Sequence, residues 1–86
     1  MSYKIVFTKQ AEKDLKKIAV SNLKSKAFRL LEVLEETPLS PPREKLVDYE
    51  NVYSRRINIQ HRLVYQVLEE EKIVKILRLW SHYGDN

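Results

Sequence analysis

Ser54-Arg55-Arg56-Ile57-Asn58-Ile59-Gln60-His61-Arg62-Leu63-Val64-Tyr65 is the stretch whose reading decides the fold. It reads as two short alternating strands around a tight connection, and it carries three arginines and one of the two histidines of the chain. Successive side chains of a strand point to opposite faces. Ser54, Arg56 and Asn58 therefore share one face, with Tyr53, Arg55, Ile57 and Ile59 on the other. On the second strand Leu63, Tyr65 and Val67 face a core, opposite Arg62, Val64 and Gln66. Facing residues of an antiparallel pair lie on the same side, so Arg56 and Arg62 share a face only when the connection has an odd count. The spacing predicts the connection Ile59, Gln60, His61, with Asn58 opposite Arg62, Arg56 opposite Val64 and Ile57 opposite Leu63. The hairpin then has one oily side and one side bearing two guanidinium groups.

Outward from the hairpin, Tyr3 to Phe7 reads as an opening strand and Thr8 as a helix N-cap. Ala11, Leu15 and Ile18 recur at helical spacing, away from Lys9, Lys13, Lys16 and Lys17. Ser21 and Asn22 interrupt this helix and cap a second, with a stripe of Leu23, Ala27, Leu30, Leu31 and Leu34. Thr37 before Pro38 ends it, because a residue preceding proline is pushed out of the helical region. Two helices so joined are expected as a hairpin on one face of a sheet. Pro38 to Asn51 lacks periodicity, and irregular stretches of that length often carry a site. After the acidic turn Glu69, Glu70, Glu71, the segment Ile73 to His82 is apolar on both faces and is expected in the interior of the sheet. The fold class is α+β: a twisted antiparallel sheet of about four strands with two N-terminal helices on one face, in the order β-α-α-β-β-β, as one domain over residues 1–86. Gly84 is the only glycine, so left-handed turn positions fall to residues such as Asn51, Asn58 or Asp48.

Composition narrows the function classes. Eighty-six residues with 43% hydrophobic content fit one packed domain. There is no cysteine, which removes disulfides and thiolate metal sites, and with two histidines no metal centre or other cofactor is expected. No apolar run is long enough to span a bilayer and no signal peptide is visible, so the expectation is a soluble cytoplasmic protein without a membrane partner. A net charge of +4 favours a polyanionic partner.

Four residues are candidates for one site: Glu44 in the proline-rich stretch, Arg56 and Arg62 on the hairpin, and His82 after the last strand. Cleaving RNA by internal transfer needs a base for the 2′-hydroxyl, positive charge on the developing phosphorane and an acid for the leaving 5′-oxygen. A glutamate, two arginines and a histidine supply those roles without a metal. Tyr83 offers a ring on which an unpaired base stacks. On pattern alone each has a plainer reading. Glu44 is then a solvated carboxylate, Arg56 and Arg62 an exposed polar face or ion-pair partners for Glu69 to Glu71, and His82 an exposed terminal residue. Arg55 lies in the core-facing phase and reads as a snorkelling or ion-paired residue, and His61 as a loop histidine that fixes the hairpin.

Tyr53 to Tyr65, the upstream Glu44-Lys45-Leu46 and the terminal Ser81-His82-Tyr83 together resemble the Txe/YoeB family of toxins, a branch of the RelE/ParE superfamily. The resemblance covers nearly the whole chain. It implies the toxin of a type II toxin-antitoxin pair, a ribosome-dependent and metal-independent messenger endoribonuclease. Its partners would be a cognate YefM/Axe-like antitoxin, the ribosome and mRNA, and a homodimer is compatible with it. Position by position it implies Glu44 as general base, Arg62 as the catalytic arginine, Arg56 as a phosphate contact, His82 as general acid and Tyr83 as a nucleotide-positioning residue. Two alternatives stay open: a non-enzymatic ParE-like toxin that binds DNA gyrase, and a non-catalytic RNA-binding domain.

Overall fold

The computed structural model describes residues 2–39, 44–45, 50–59 and 61–79, with 44–45 described for their backbone alone. The elements are β1 (Lys4–Phe7), α1 (Lys9–Ala19), α2 (Lys24–Glu36), β2 (Glu44–Lys45), β3 (Val52–Arg56), β4 (Arg62–Leu68) and β5 (Ile73–Arg78). The expected order of strand, two helices and three long strands is present, with the two-residue β2 added inside the proline-rich stretch. The sheet order is β1-β5-β4-β3-β2. β5 is interior, as its apolar faces required. The sheet is not wholly antiparallel: β1 runs parallel to β5, with Ile5 beside Val74 and Phe7 beside Ile76. A parallel neighbour cannot be reached by a hairpin, and here the helices, β2, β3 and β4 form the long connection between the two strands.

The helices start and stop where the sequence chemistry allows. The Thr8 hydroxyl accepts from the Ala11 amide at 3.1 Å, satisfying an orphan donor of the first turn. Ser21 serves both helices, since its hydroxyl donates to the Ile18 carbonyl at 2.9 Å and accepts from the Leu23 amide at 3.1 Å. The Thr37 amide closes α2 on the Val33 carbonyl, and Pro38 stops it there. Ala11, Ile18, Ala27 and Leu34 of the helices are fully buried against Leu63, Tyr65, Val67, Val74 and Ile76 of the sheet. That is one two-layer core, with the helices on the face expected for Leu63, Tyr65 and Val67.

The register of the β3–β4 hairpin corrects the sequence reading. Arg56 pairs with Arg62, Arg55 with Leu63 and Ser54 with Val64, so the connection spans 57–61 and not the three residues from Ile59. Ile57 leaves the strand to become a fully buried core residue. Asn58 then closes the turn with its side chain, its Oδ1 accepting from the His61 amide at 2.7 Å. The His61 carbonyl accepts from the Ile57 and Asn58 amides. Five is still odd, so both arginines keep a common face. Among the turn residues, Asn51 takes the left-handed conformation at φ 60° as expected, and Lys72 at φ 58° takes the other. Asn58 has no need of it because its side-chain oxygen does the closing. The last strand stops at Arg78, with Leu79 already in a bend, short of the expected run to His82; Asp48 and the stretch from Trp80 to His82 lie outside the described residues.

Candidate functional site

The face of the sheet away from the helices carries the candidate residues that fall on described strands. Ser54 and Arg56 come from β3, Arg62 and Val64 from β4, and Glu44 occupies the register position opposite Ser54 on β2. By register the Glu44 position falls on the same face as Arg56 and Arg62, across three adjacent strands. Ladder bonds run from the Ile57 amide to the His61 carbonyl and from the Val67 amide to the Asn51 carbonyl, which makes the intervening Arg56–Arg62 pair a non-hydrogen-bonded one. In such pairs the Cα atoms approach to about 4.5 Å and the side chains lie closest. Arg56 is exposed and Arg62 half-buried.

Like charges directly opposite each other destabilise a sheet by some tenths of a kcal/mol, up to about 1. A hairpin selected only for stability would place a carboxylate or an apolar residue at one of the two positions. Two arginines at opposed positions offer ten N–H donors and no acceptor of their own, donors of the kind that suit an anion with several oxygens. Beneath them Ser54 is 1% exposed. Its hydroxyl accepts from Nη1 of Arg62 in a long contact of 3.4 Å, toward the strand carrying Arg56. Sequence reasoning did not single out Ser54, although its place two residues before Arg56 puts it on the same face.

Arg55 faces the other way, as its phase required. It is 6% exposed, and it donates through Nε to the Tyr65 hydroxyl and through Nη2 to the Thr37 carbonyl. The Tyr65 hydroxyl donates in turn to the Pro38 carbonyl at 2.9 Å. These bonds hold the start of the proline-rich stretch against the middle of the sheet. His61 fixes the hairpin through its backbone, as expected for a loop histidine, and its ring is buried. His82 and Tyr83 lie outside the described residues. Lys9, Lys13, Lys16 and Lys17 of α1 and Lys24, Lys26 and Arg29 of α2 are all exposed. Among the described residues no three His, Cys, Asp or Glu side chains gather as metal ligands, and no helix is long and apolar enough to cross a membrane.

Asp14 is a residue that the sequence reading missed. It is fully buried on α1, and its Oδ2 accepts from Nε of Arg78 and from the Leu79 amide, both at 2.9 Å. The signal was present: with Ala11, Leu15 and Ile18 it completes an i, i+3, i+4, i+7 stripe, so an acid stands in the apolar phase of the helix.

Comparison with known proteins places this geometry. Residues 5–85 match the family described as the ParE toxin of the type II toxin-antitoxin system, parDE. Among curated proteins none matches significantly. The YoeB toxin of Staphylococcus aureus, solved as a dimer, is 32% identical, with 96% of this chain and 100% of that one covered at a TM-score of 0.81. The YoeB–YefM complex from the same organism matches with 31% identity, 96% and 100% coverage and a TM-score of 0.75. The YoeB/ParE toxin from Agrobacterium tumefaciens is 25% identical, with 93% and 99% coverage and a TM-score of 0.82. With the family matched from the first strand almost to the last residue, and the helix pair and arginine-bearing hairpin in place, the chain belongs to the toxins of type II toxin-antitoxin systems, as a Txe/YoeB-type member of the RelE/ParE superfamily.

Proposed function

We propose that this toxin is a ribosome-dependent, metal-independent endoribonuclease that cuts messenger RNA in the cytoplasm. The observation that supports it most is the Arg56–Arg62 cross-strand pair on the face shared with the Glu44 position. Glu44 takes the proton of the ribose 2′-hydroxyl, whose oxygen attacks the adjacent phosphorus. Arg62 and Arg56 stabilise the charge that gathers on the non-bridging oxygens. His82 protonates the 5′-oxygen as its bond to phosphorus breaks, and Tyr83 stacks on a base to hold the scissile phosphate. The products are a 2′,3′-cyclic phosphate, opening to a 3′-phosphate, and a 5′-hydroxyl end. The exposed lysines of α1 and α2 supply non-specific attraction to ribosomal RNA. α2 carries Lys24 and Lys26 near its N-terminus and Glu35 and Glu36 at its C-terminus, the reverse of what its dipole favours. Helix stability does not explain that charge order; a polyanionic partner at the turn between the helices does.

The partners follow from the likeness to the Staphylococcus aureus proteins: a YefM-like antitoxin that silences the toxin, and a second copy of this chain in a homodimer. The rival reading is a ParE-like toxin acting on gyrase by binding alone, and a pure binder has no need of a base, an acid and two arginines around one phosphate. Primer extension on translated and untranslated message decides between them. New 5′ ends should appear only on the translated message and vanish with His82→Ala. Undiminished cleavage by that variant would sink the assignment of the acid, and inhibition of supercoiling without cleavage would establish the rival.

A further inference from the structure

β1, β3, β4 and β5 together contain Lys4, Arg55, Arg56, Arg62, Lys75 and Arg78 and no aspartate or glutamate. Two of these cations are used inside the molecule: Arg55 bonds the Tyr65 hydroxyl and the Thr37 carbonyl, and Arg78 pairs with Asp14 of α1. The other four lie on the face away from the helices. Ile5, Phe7, Val74 and Ile76 pack into the core, so alternation puts Lys4 and Lys75 on the opposite face, with Arg56 and Arg62. Both lysines are exposed, and among the described residues neither has an acidic partner. The acid that register adds to this face is Glu44, on β2 at the edge opposite β1.

A solvent face selected for stability alone sets opposite charges across neighbouring strands. Here Lys75 stands between Val6 on β1 and Gln66 on β4, and Lys4, opposite Ile73, is its diagonal neighbour. Lys4 is on an edge strand, where a lysine discourages strand addition by another chain. That reason does not reach Lys75, because β5 is interior. Sixteen basic residues less the four on this face leave twelve, equal to the twelve acidic ones, so these four cations match the excess charge of the chain. One sign of charge gathered on one face is the electrostatic footprint of a polyanion. Gln66 is four residues beyond Arg62 on β4, and Lys75 is one strand further, which places its Cα about 14 Å from that of Arg62. A stacked single strand advances about 3.4 Å per phosphate. An RNA whose scissile phosphate lies on the arginines therefore brings another phosphate to Lys75 within about four nucleotides.

We propose that Lys75, flanked by Lys4, is a second phosphate subsite, apart from the arginine pair, that holds the RNA strand a few nucleotides from the bond to be cut. This rests on the nuclease reading, with Arg56 and Arg62 at the scissile phosphate. The test is equilibrium binding of 2′-O-methyl RNA, which lacks the attacking hydroxyl and stays uncut, in lengths of two and six nucleotides. The proteins are the full chain as wild type, Lys75→Gln, Lys75→Arg, and Lys4→Gln combined with Lys75→Gln. Wild type should bind the longer RNA more tightly, and Lys75→Gln should lose most of that gain while binding the dinucleotide as before. For the longer RNA, the slope of log affinity against log salt should flatten by about 0.7 in Lys75→Gln and by roughly twice that in the double variant. Lys75→Arg keeps the charge and should keep both the gain and the slope. A wild-type gain and slope in Lys75→Gln, an equal loss on both lengths, or no length gain in wild type would each overturn the subsite. Cleavage of translated message by wild type, measured in parallel, reads the nuclease activity separately. Its absence would overturn the nuclease reading, whereas its presence beside an ineffective Lys75→Gln would overturn the subsite alone.

Discussion

Tyr65→Phe removes one oxygen from the middle of the core and tests how the proline-rich stretch is anchored. Tyr65 is fully buried, and its hydroxyl donates to the Pro38 carbonyl at 2.9 Å while accepting from Nε of Arg55 at 3.4 Å. The shorter bond dominates the expected effect, since a contact at 3.4 Å is near the limit of useful geometry. Phenylalanine keeps the ring and its tilted contact with Tyr53, whose centroid is 5.8 Å away, so packing changes little. The Pro38 carbonyl is left without this donor, at about 1–3 kcal/mol for a buried group. For a domain of this size 1 kcal/mol moves Tm by roughly 4–8 °C, so a mid-range cost of about 2 kcal/mol lowers Tm by roughly 8–16 °C. Urea unfolding followed by circular dichroism should show a lower midpoint with an unchanged slope, as expected when the native state alone is weakened. A midpoint and Tm equal to those of the wild type would refute the claim that this hydroxyl ties α2 and the proline-rich stretch to β4.

Arg56→Ala separates stability from function by sign: relief of the like-charge pair should leave Tm equal or raised by an amount worth up to about 1 kcal/mol, while cleavage of translated message falls, and a matching fall in Tm would contradict the pairing argument. Asn51→Ala places a β-carbon without a polar group in the left-handed conformation at φ 60° and should cost about 1 kcal/mol, read by thermal unfolding, whereas Asn51→Gly should be nearly neutral. Charge reversal at Lys16 or Lys24 should weaken ribosome binding and flatten its dependence on salt, checked by co-sedimentation from about 50 to 200 mM salt; binding that ignores both would remove the helices from the proposed interface.

Most of the fold was legible because it rests on local rules. Thr8 caps, Ser21 breaks, Thr37-Pro38 stops, and the apolar stripes of α1 and α2 meet the apolar phase of β4 and β5. Parity carried the arginine pair as well, since any odd connection sets Arg56 and Arg62 on one face. The register itself was not legible, because strand alternation says nothing about when Ile57 abandons the strand for the core or when the Asn58 side chain substitutes for backbone in closing a turn. The parallel placing of β1 is a tertiary choice between two edges that local pattern does not distinguish. Asp14 was passed over for a different reason, although its place in the apolar phase of α1 marked it. An acid on a helix reads as solvated until the chain end that needs its oxygens, more than sixty residues later, is seen to pass beside it. The Ser54 hydroxyl under Arg62 likewise became visible only once the strands were paired.

Single-turnover cleavage of ribosome-bound message by wild type and Arg62→Ala, with both proteins shown to be folded and ribosome-bound, addresses the nuclease reading most directly. The expected result is a loss of at least about 10²-fold in maximal rate, the scale seen when one charge-stabilising donor is taken from a reaction centre, with 5′-hydroxyl ends from the wild type alone. Equal rates from the two proteins would contradict it.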